Sequence, residues 1–475
     1  MVCWRFVGML AVGLFLPLPL TAADWPQFRG PGSLGIAASA DELPADIGPQ
    51  SPQLLWKTEL PPGHSSPVVV GNRIFLTAER DGQLLTIGLD RETGRVLWEQ
   101  RAPYQTLEEI HSIGSHAQCT PAADTERVVV FFGSCGLFCY SHEGVPLWNR
   151  PMGPFLNTFG AGSSPLIVDD FVILGQDHDQ QSFLMALNKQ TGETAWITDR
   201  SEFPRNYCTP VIWRHSDRQE IVIAATLRVV GYDFQTGREL WTVRGLSRSV
   251  CMTPVVGDDG NLYVAGWSAG GDETQRIAVL PFDDIAQRTD TNGNGQFEES
   301  ELKEGPIHQR FPQVDRNKDG SLTREEYEYF RGLFENGQNL ILSIKPGAQG
   351  EATDTHVRWR QRKQVPFCAS PLYHDGLLFT VKDGGILSCW DAETGKPLKQ
   401  VRLEATDEYY SSPAYGDGKI YLANQPGVVT VIAANKSCEV LHTADFQEEI
   451  YASPAILDGK IYLRTAAGLY CFGKK

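Results

Sequence analysis

The chain has no Cys-x-x-Cys pair, so a zinc ribbon is not indicated. It has no Gly-X-Y period, which excludes a collagen-like fibre. It also lacks a basic stripe. Its 42 Lys and Arg face 58 Asp and Glu, for a formal charge of −16. Such a chain has little with which to grip a phosphate backbone, and no nucleic-acid partner is expected. No phosphate loop or zinc-protease motif occurs. Beyond the first 20 residues no apolar run is long enough to span a bilayer, so no membrane span is expected. Turn residues are plentiful instead: 46 Gly and 29 Pro argue against a helical bundle. With 41% hydrophobic and 21% charged residues, the chain suits a packed fold and not a disordered one. Its 475 residues allow about three domains, or one large β domain with an insert.

Residues 1–23 read as a secretory signal peptide. Arg5 precedes an apolar run from Phe6 to Leu20, and Thr21, Ala22 and Ala23 supply small residues before Asp24. The run is shorter than a spanning helix needs and contains Pro17 and Pro19, which disfavours an anchor. No Cys follows it at a lipidation-like site. A periplasmic or secreted location is therefore expected. Of ten cysteines, Cys3 leaves with the signal and nine remain. Cys119, Cys208, Cys251 and Cys368 sit just before recurring prolines, and Cys139, Cys389 and Cys471 sit in matching strands. Recurrence at equivalent positions marks small buried core residues better than a disulfide framework.

A small or hydroxyl residue, then Pro, then an apolar strand recurs at Ser66-Pro67, Thr120-Pro121, Ser164-Pro165, Thr209-Pro210, Thr253-Pro254, Ser370-Pro371, Ser412-Pro413 and Ser453-Pro454. The spacings are 54, 44, 45, 44, 117, 42 and 41 residues. A period near 44 is that of a four-stranded propeller blade, and eight anchors predict an all-β, eight-bladed propeller. A turn-plus-Trp element repeats along the chain: TGRVLW (93–98), EGVPLW (143–148), TGETAW (191–196) and TGRELW (236–241), decaying to TGKPLK (394–399) and SCEVL (437–441). After Pro454 only three strands fit. Gln53 to Lys57, with Trp56, has the pattern of the missing outer strand and would close the ring. The alternative is seven blades and a detached C-terminal hairpin.

These repeats resemble the pyrroloquinoline-quinone (PQQ)-type propeller repeat. The stretch Asp24-Trp25-Pro26-Gln27-Phe28-Arg29-Gly30-Pro31-Gly32 resembles the mature N-terminus of secreted propeller proteins of planctomycete type. The resemblance covers nearly all of residues 24–475. It implies relatives of two kinds, quinone-dependent dehydrogenases and a cofactor-free outer-membrane-assembly scaffold, so fold alone does not assign activity. Dehydrogenases of this type use an adjacent Cys-Cys pair and a calcium held in the pocket by Glu, Asn and Asp. This chain has no Cys-Cys dipeptide and is shorter than those enzymes.

The long spacing marks an insert. It divides the chain into a first propeller part (24–280), an insert (281–336) and a second propeller part (337–475). The insert carries two complete calcium-loop patterns, D-x-[DN]-x-[DN]-G-x5-E. Ligands in the first are Asp290, Asn292, Asn294, the Gln296 carbonyl and Glu301. In the second they are Asp315, Asn317, Asp319, the Ser321 carbonyl and Glu326. A cation of calcium's size wants six to eight oxygens, which this spacing wraps around one point, with Gly295 and Gly320 making the sharp turn. Phe297 and Leu322 fall where paired loops join. Helices are expected over Phe282 to Thr289 and Arg324 to Leu333, and Pro312 should shorten the helix entering loop two. An EF-hand pair with a structural role is the expectation.

Strand alternation puts the insert on the face where each innermost strand begins. Polar and aromatic residues gather there, and His64, His116, His178, Arg205, Arg248 and Tyr409 are the candidate mouth residues for a ligand. No catalytic residue is assigned. The expected function is an extracytoplasmic scaffold for a protein or polysaccharide partner, with calcium as cofactor. The alternative is a PQQ-dependent dehydrogenase with its substrate at the mouth.

Overall fold

The computed structural model describes residues 24–38, 41–179, 181–216, 218–303 and 305–474. The signal segment 1–23 lies outside the described residues. Eight antiparallel sheets of four strands each form the body, one of them extended by a fifth short strand. In the first blade Val68–Val70 lies innermost, followed by Arg73–Arg80, Gln83–Asp90 and Val96–Ala102. Both faces of each blade pack on neighbours. The second and third strands are therefore near-continuous apolar runs, such as Ile74, Phe75 and Leu76, all fully buried. Outer strands alternate and are half exposed.

Ring closure follows the expected route. Leu54–Glu59 pairs antiparallel with Gly468–Gly473, setting Trp56 opposite Cys471. This strand completes the last sheet, so the seven-bladed arrangement does not occur.

The turn-plus-Trp element is an inter-blade joint. Gly94, Gly144, Gly192, Gly237 and Gly395 all have φ between 68° and 81°. Each lies under the Trp of the preceding blade: Trp56, Trp98, Trp148, Trp196 and Trp359 respectively. A Cβ at these glycines would come within 2.4–2.7 Å of the ring. Only glycine satisfies both the left-handed backbone and the close approach. Trp241 breaks the series. Blade five has no such turn to cover, and Trp241 is fully buried with its Nε1 donating to Glu220 at 2.7 Å. The chain returning from blade five adds Gly350–Glu351 as a parallel fifth strand beside Glu239–Arg244.

The anchor hydroxyls form a second joint, around the axis. The backbone N–H of Ser66 donates to Thr120 Oγ1, that of Thr120 to Ser164, and that of Ser164 to Thr209. Thr253 donates likewise to Ser370, Ser370 to Ser412, Ser412 to Ser453 and Ser453 back to Ser66. These seven bonds measure 2.9–3.1 Å.

Residues before the first strand cross the face opposite the mouth. Trp25 bridges Val69 in blade one, the Pro26 carbonyl accepts from Ala123 in blade two, and Gly35 accepts from Tyr415 in blade seven. Arg29, buried, donates to the Pro371 carbonyl in blade six at 2.6 Å.

The insert leaves blade five between its second strand, Leu262–Gly266, and its third, Leu340–Ile344. It contains α1 (Phe282–Thr289), α2 (Phe311–Val314) and α3 (Arg324–Asn336). Pro312 lies in the first turn of α2, which is only four residues long. Thr323 caps α3 by accepting from the Glu326 N–H. Phe282, Phe297, Phe311, Leu322, Tyr327, Phe330 and Phe334 make the insert's own apolar cluster. Among the described residues no helix is long and apolar enough to cross a membrane.

Candidate functional site

A cavity of about 630 Å³ lies on the propeller axis. The anchor hydroxyls line its depth, and Phe28 of the crossing N-terminal segment reaches it from below. The segments entering the innermost strands form its upper wall. Arg310, Gln313 and Arg316, with Tyr329, Phe330 and Leu333 of α3, bring the insert over its mouth. Docking of the insert is polar as well as apolar. Tyr329 Oη donates to the Glu202 carbonyl at 3.0 Å and Arg316 to that of Ser201 at 2.8 Å.

One wall is an aromatic arc running from blade five to blade one. Trp267 meets Phe367 edge-on at 4.8 Å, Phe367 meets Tyr410 at 6.4 Å, and Tyr410 meets Tyr451 at 5.3 Å. His64 stacks on Tyr451 at 3.8 Å with planes 12° apart. Burial, with a smaller push from Arg464, lowers the His64 pKa to about 4, so this ring is neutral at neutral pH.

The facing wall carries Arg205, Arg248, Arg310 and Arg316, and among the described residues Asp179 is the one carboxylate lining the cavity. Arg205 Nε donates to Asp179 at 3.1 Å and its Nη2 donates to the other oxygen. Burial raises the Asp179 pKa, against the opposing pull of Arg205. With its amide oxygen turned to Arg205, Gln313 accepts from both Nη atoms at 3.2 and 3.1 Å. Arg248 Nε donates to the Ala269 carbonyl, and its guanidinium lies 4.5 Å from the centre of the Phe334 ring. Burial, then Arg310 and Arg205, lowers the Arg248 pKa to about 10.

Three of the candidate mouth residues, His64, Arg205 and Arg248, line this cavity, and three do not. His116 sits in a shallower neighbouring pocket, bonded to the Glu108 carbonyl. His178 is buried against Phe155 and Phe183. Tyr409 points into the core and donates to the Ala405 carbonyl, while Tyr410 faces the axis. Successive residues of an extended segment face opposite ways, which accounts for the one-residue difference. Asp177, beside His178, is committed to a buried bidentate pair with Arg200.

Gly266-Trp267-Ser268-Ala269-Gly270 has the spacing of a nucleophile elbow, a signal the sequence carries in plain view. Its setting differs: it leaves an antiparallel strand and no helix follows directly. Ser268 is buried, and among the described residues its Oγ has no hydrogen-bond partner and no base stands against it.

In the insert, Phe297 pairs with Leu322 and Glu298 with Ser321 in a two-stranded bridge between the loops. Both loops make the same seven hydrogen bonds. The first-position carboxylate, Asp290 or Asp315, accepts from the fifth and sixth N–H groups. Asn292 and Asn317 accept from the fifth N–H, and Asn294 and Asp319 from the seventh. Glu301 and Glu326 accept from the second, third and ninth N–H groups. Gln296 and Ser321, whose carbonyls are the seventh-position candidates, hydrogen-bond each other through their side chains. Among the described residues no three His, Cys, Asp or Glu side chains stand together as a metal site. Amide and carbonyl oxygens make up three of the five candidate donors in the first loop and two of the five in the second.

Residues 44–154 and 114–270 match the family described as outer membrane protein assembly factor BamB. BamB of Alkalilimnicola ehrlichii is 29% identical over 164 residues, covering 32% of this chain and 37% of that protein. The match thus spans little more than a third of that relative. The crystal structure of BamB from Moraxella catarrhalis superposes with a TM-score of 0.54 at 14% identity, over 88% of this chain and 98% of that one. Quinohemoprotein alcohol dehydrogenase from Comamonas testosteroni gives 0.55 at 11% identity, over 95% and 81%. Such likenesses establish the eight-bladed fold.

Proposed function

We propose that this chain is an extracytoplasmic binding protein, a BamB-like propeller that receives a protein or polysaccharide partner at its mouth and carries a calcium-binding EF-hand insert. The observation that carries this reading is the insert's position. It covers an axial cavity floored by Phe28, so whatever binds on the axis meets both bodies.

Calcium fits the oxygen chemistry of the loops. Asp290, Asn292, Asn294, the Gln296 carbonyl and Glu301 would hold one ion. Asp315, Asn317, Asp319, the Ser321 carbonyl and Glu326 would hold the other. Bound calcium supplies positive charge that ties each loop's first residue to its last. The chain's own part is to keep α3 seated against the propeller through Tyr329 and Arg316. Short α2 leaves little lever for a large opening, which favours a rigidifying role over a sensing one.

The cavity does not fit the alternative of a PQQ-dependent dehydrogenase. Among the described residues its one carboxylate, Asp179, is tied to Arg205, and the chain has no Cys-Cys dipeptide; the Cys251 and Cys368 thiols that meet at the cavity come from two different blades.

Calcium titration followed by thermal melting tests the proposal. Calcium should raise the melting temperature, and Glu301→Gln with Glu326→Gln should abolish the rise. A shift that persists in the double variant puts the calcium elsewhere. A quinone absorption band after addition of PQQ and calcium, with dye-linked alcohol oxidation, overturns the binding-protein reading.

A further inference from the structure

Resting on the mouth as a binding site, we propose that the cavity takes a small organic anion that carries a ring, its carboxylate or phosphate on the arginine wall and its ring on the aromatic arc. In a chain of net charge −16 a concentration of guanidinium groups needs a local reason. Arg205 enters blade four, Arg248 enters blade five and Arg310 belongs to the insert, so three separate elements deliver positive charge to one cavity. Asp179 answers only Arg205.

The guanidinium groups also act on one another. Burial and then Arg205 lower the pKa of Arg310, and Arg248 is lowered by burial and by both of the others. Phe334 sits between the last two, 4.5 Å from Arg248 and 5.7 Å from Arg310. Holding like charges together in a partly desolvated cavity is unfavourable, and an oxyanion removes that repulsion while matching the planar guanidinium fork. Across the cavity, Trp267, Phe367, Tyr410 and Tyr451 offer ring faces and edges but no charge. The two walls therefore select for different ends of one molecule. A cavity of about 630 Å³ accommodates such a ligand. Because Arg310 comes from the insert, the site is complete only with the insert docked.

Calorimetric titration of the full chain tests this with phenyl phosphate and benzoate, against phenol, benzyl alcohol and inorganic phosphate. At least one of the two ring anions should bind saturably below about 10 mM and about tenfold tighter than its uncharged counterpart. The stronger of the two identifies the headgroup. Arg248→Gln and Arg310→Gln should each weaken it by about tenfold, the loss of one charge-assisted contact. Both variants are first checked for a wild-type circular dichroism spectrum, and Arg310, on the insert, can change without disturbing a blade. Three results overturn the proposal: no preference for the ring anions over the uncharged probes, no advantage of phenyl phosphate over inorganic phosphate where phosphate is the headgroup, or wild-type affinity in both folded variants. The calcium melting shift is recorded on the same samples. A normal shift without anion preference sinks this inference alone, whereas loss of the shift sinks the calcium reading.

Discussion

A Ser or Thr before proline was visible eight times in the sequence, yet its task was not. The hydroxyl's partner is the N–H of the equivalent residue one blade away, a contact that no local pattern encodes. Ser412 shows the consequence. Its Oγ is the acceptor for the buried Ser370 N–H at 3.1 Å. Ser412→Ala leaves that donor unpaired and should cost about 1–3 kcal/mol, read as a lower denaturant midpoint. Ser412→Thr keeps the acceptor and should stay near wild type, as Thr occupies three of the eight positions already. Histidine gives a different residue-scale test. Burial lowers the His178 pKa to about 4, and neither ring nitrogen has a partner among the described residues. Between pH 6.5 and 4 the unfolded chain binds this proton and the folded one does not. Stability from this site is therefore full above 6.5 and falls as pH drops toward 4. His178→Phe should flatten the decline in melting temperature between pH 7 and pH 5. An unchanged slope would assign that decline to other groups.

At the scale of elements, blades were legible because each repeats the same turn and strand chemistry. The place of the insert was legible because the anchor spacing jumps from about 44 to 117 residues there. Less legible was what the Trp does. Spacing alone marks a strand end, whereas the structure makes it the lid on a glycine of the following blade. Where the next blade lacks that glycine, the rule lapses, as at Trp241. The joint between the last blade and the first is Trp56 over Gly94. Trp56→Ala should destabilise by about 3 kcal/mol through the lost ring contacts. Gly94→Ala should cost about 1–2 kcal/mol for its φ of 70°, plus the clash of a Cβ 2.5 Å from the ring. Since removal of the ring relieves that clash, the double variant should be more stable than the sum of the two losses, by 0.5 kcal/mol or more on the order seen for touching residues. Strict additivity would mean that the ring and the glycine do not meet in solution.

For the molecule as a whole, eight anchors sufficed to count the blades and to see that the first strand must complete the last sheet. The crossing segment under the ring could not be foreseen. It has no period, and its contacts join residues as far apart as Arg29 and Pro371. It bridges blades one, two, six and seven, so it ties together parts of the circle that never touch. Trp25 is its pivot, buried, paired with Val69 and lying across Gly30. Trp25→Ala should cost about 3–5 kcal/mol, as for a large aromatic removed from a core. The more telling readout is amide exchange. Ala123 donates to Pro26 and Tyr415 to Gly35, on blades far around the ring from each other. If the segment acts as one strap, both amides should lose protection together in the variant, while the amides of the second and third strands keep theirs. Faster exchange at Ala123 with Tyr415 unchanged would mean two independent contacts, with closure resting on the pairing of Leu54–Glu59 with Gly468–Gly473 alone.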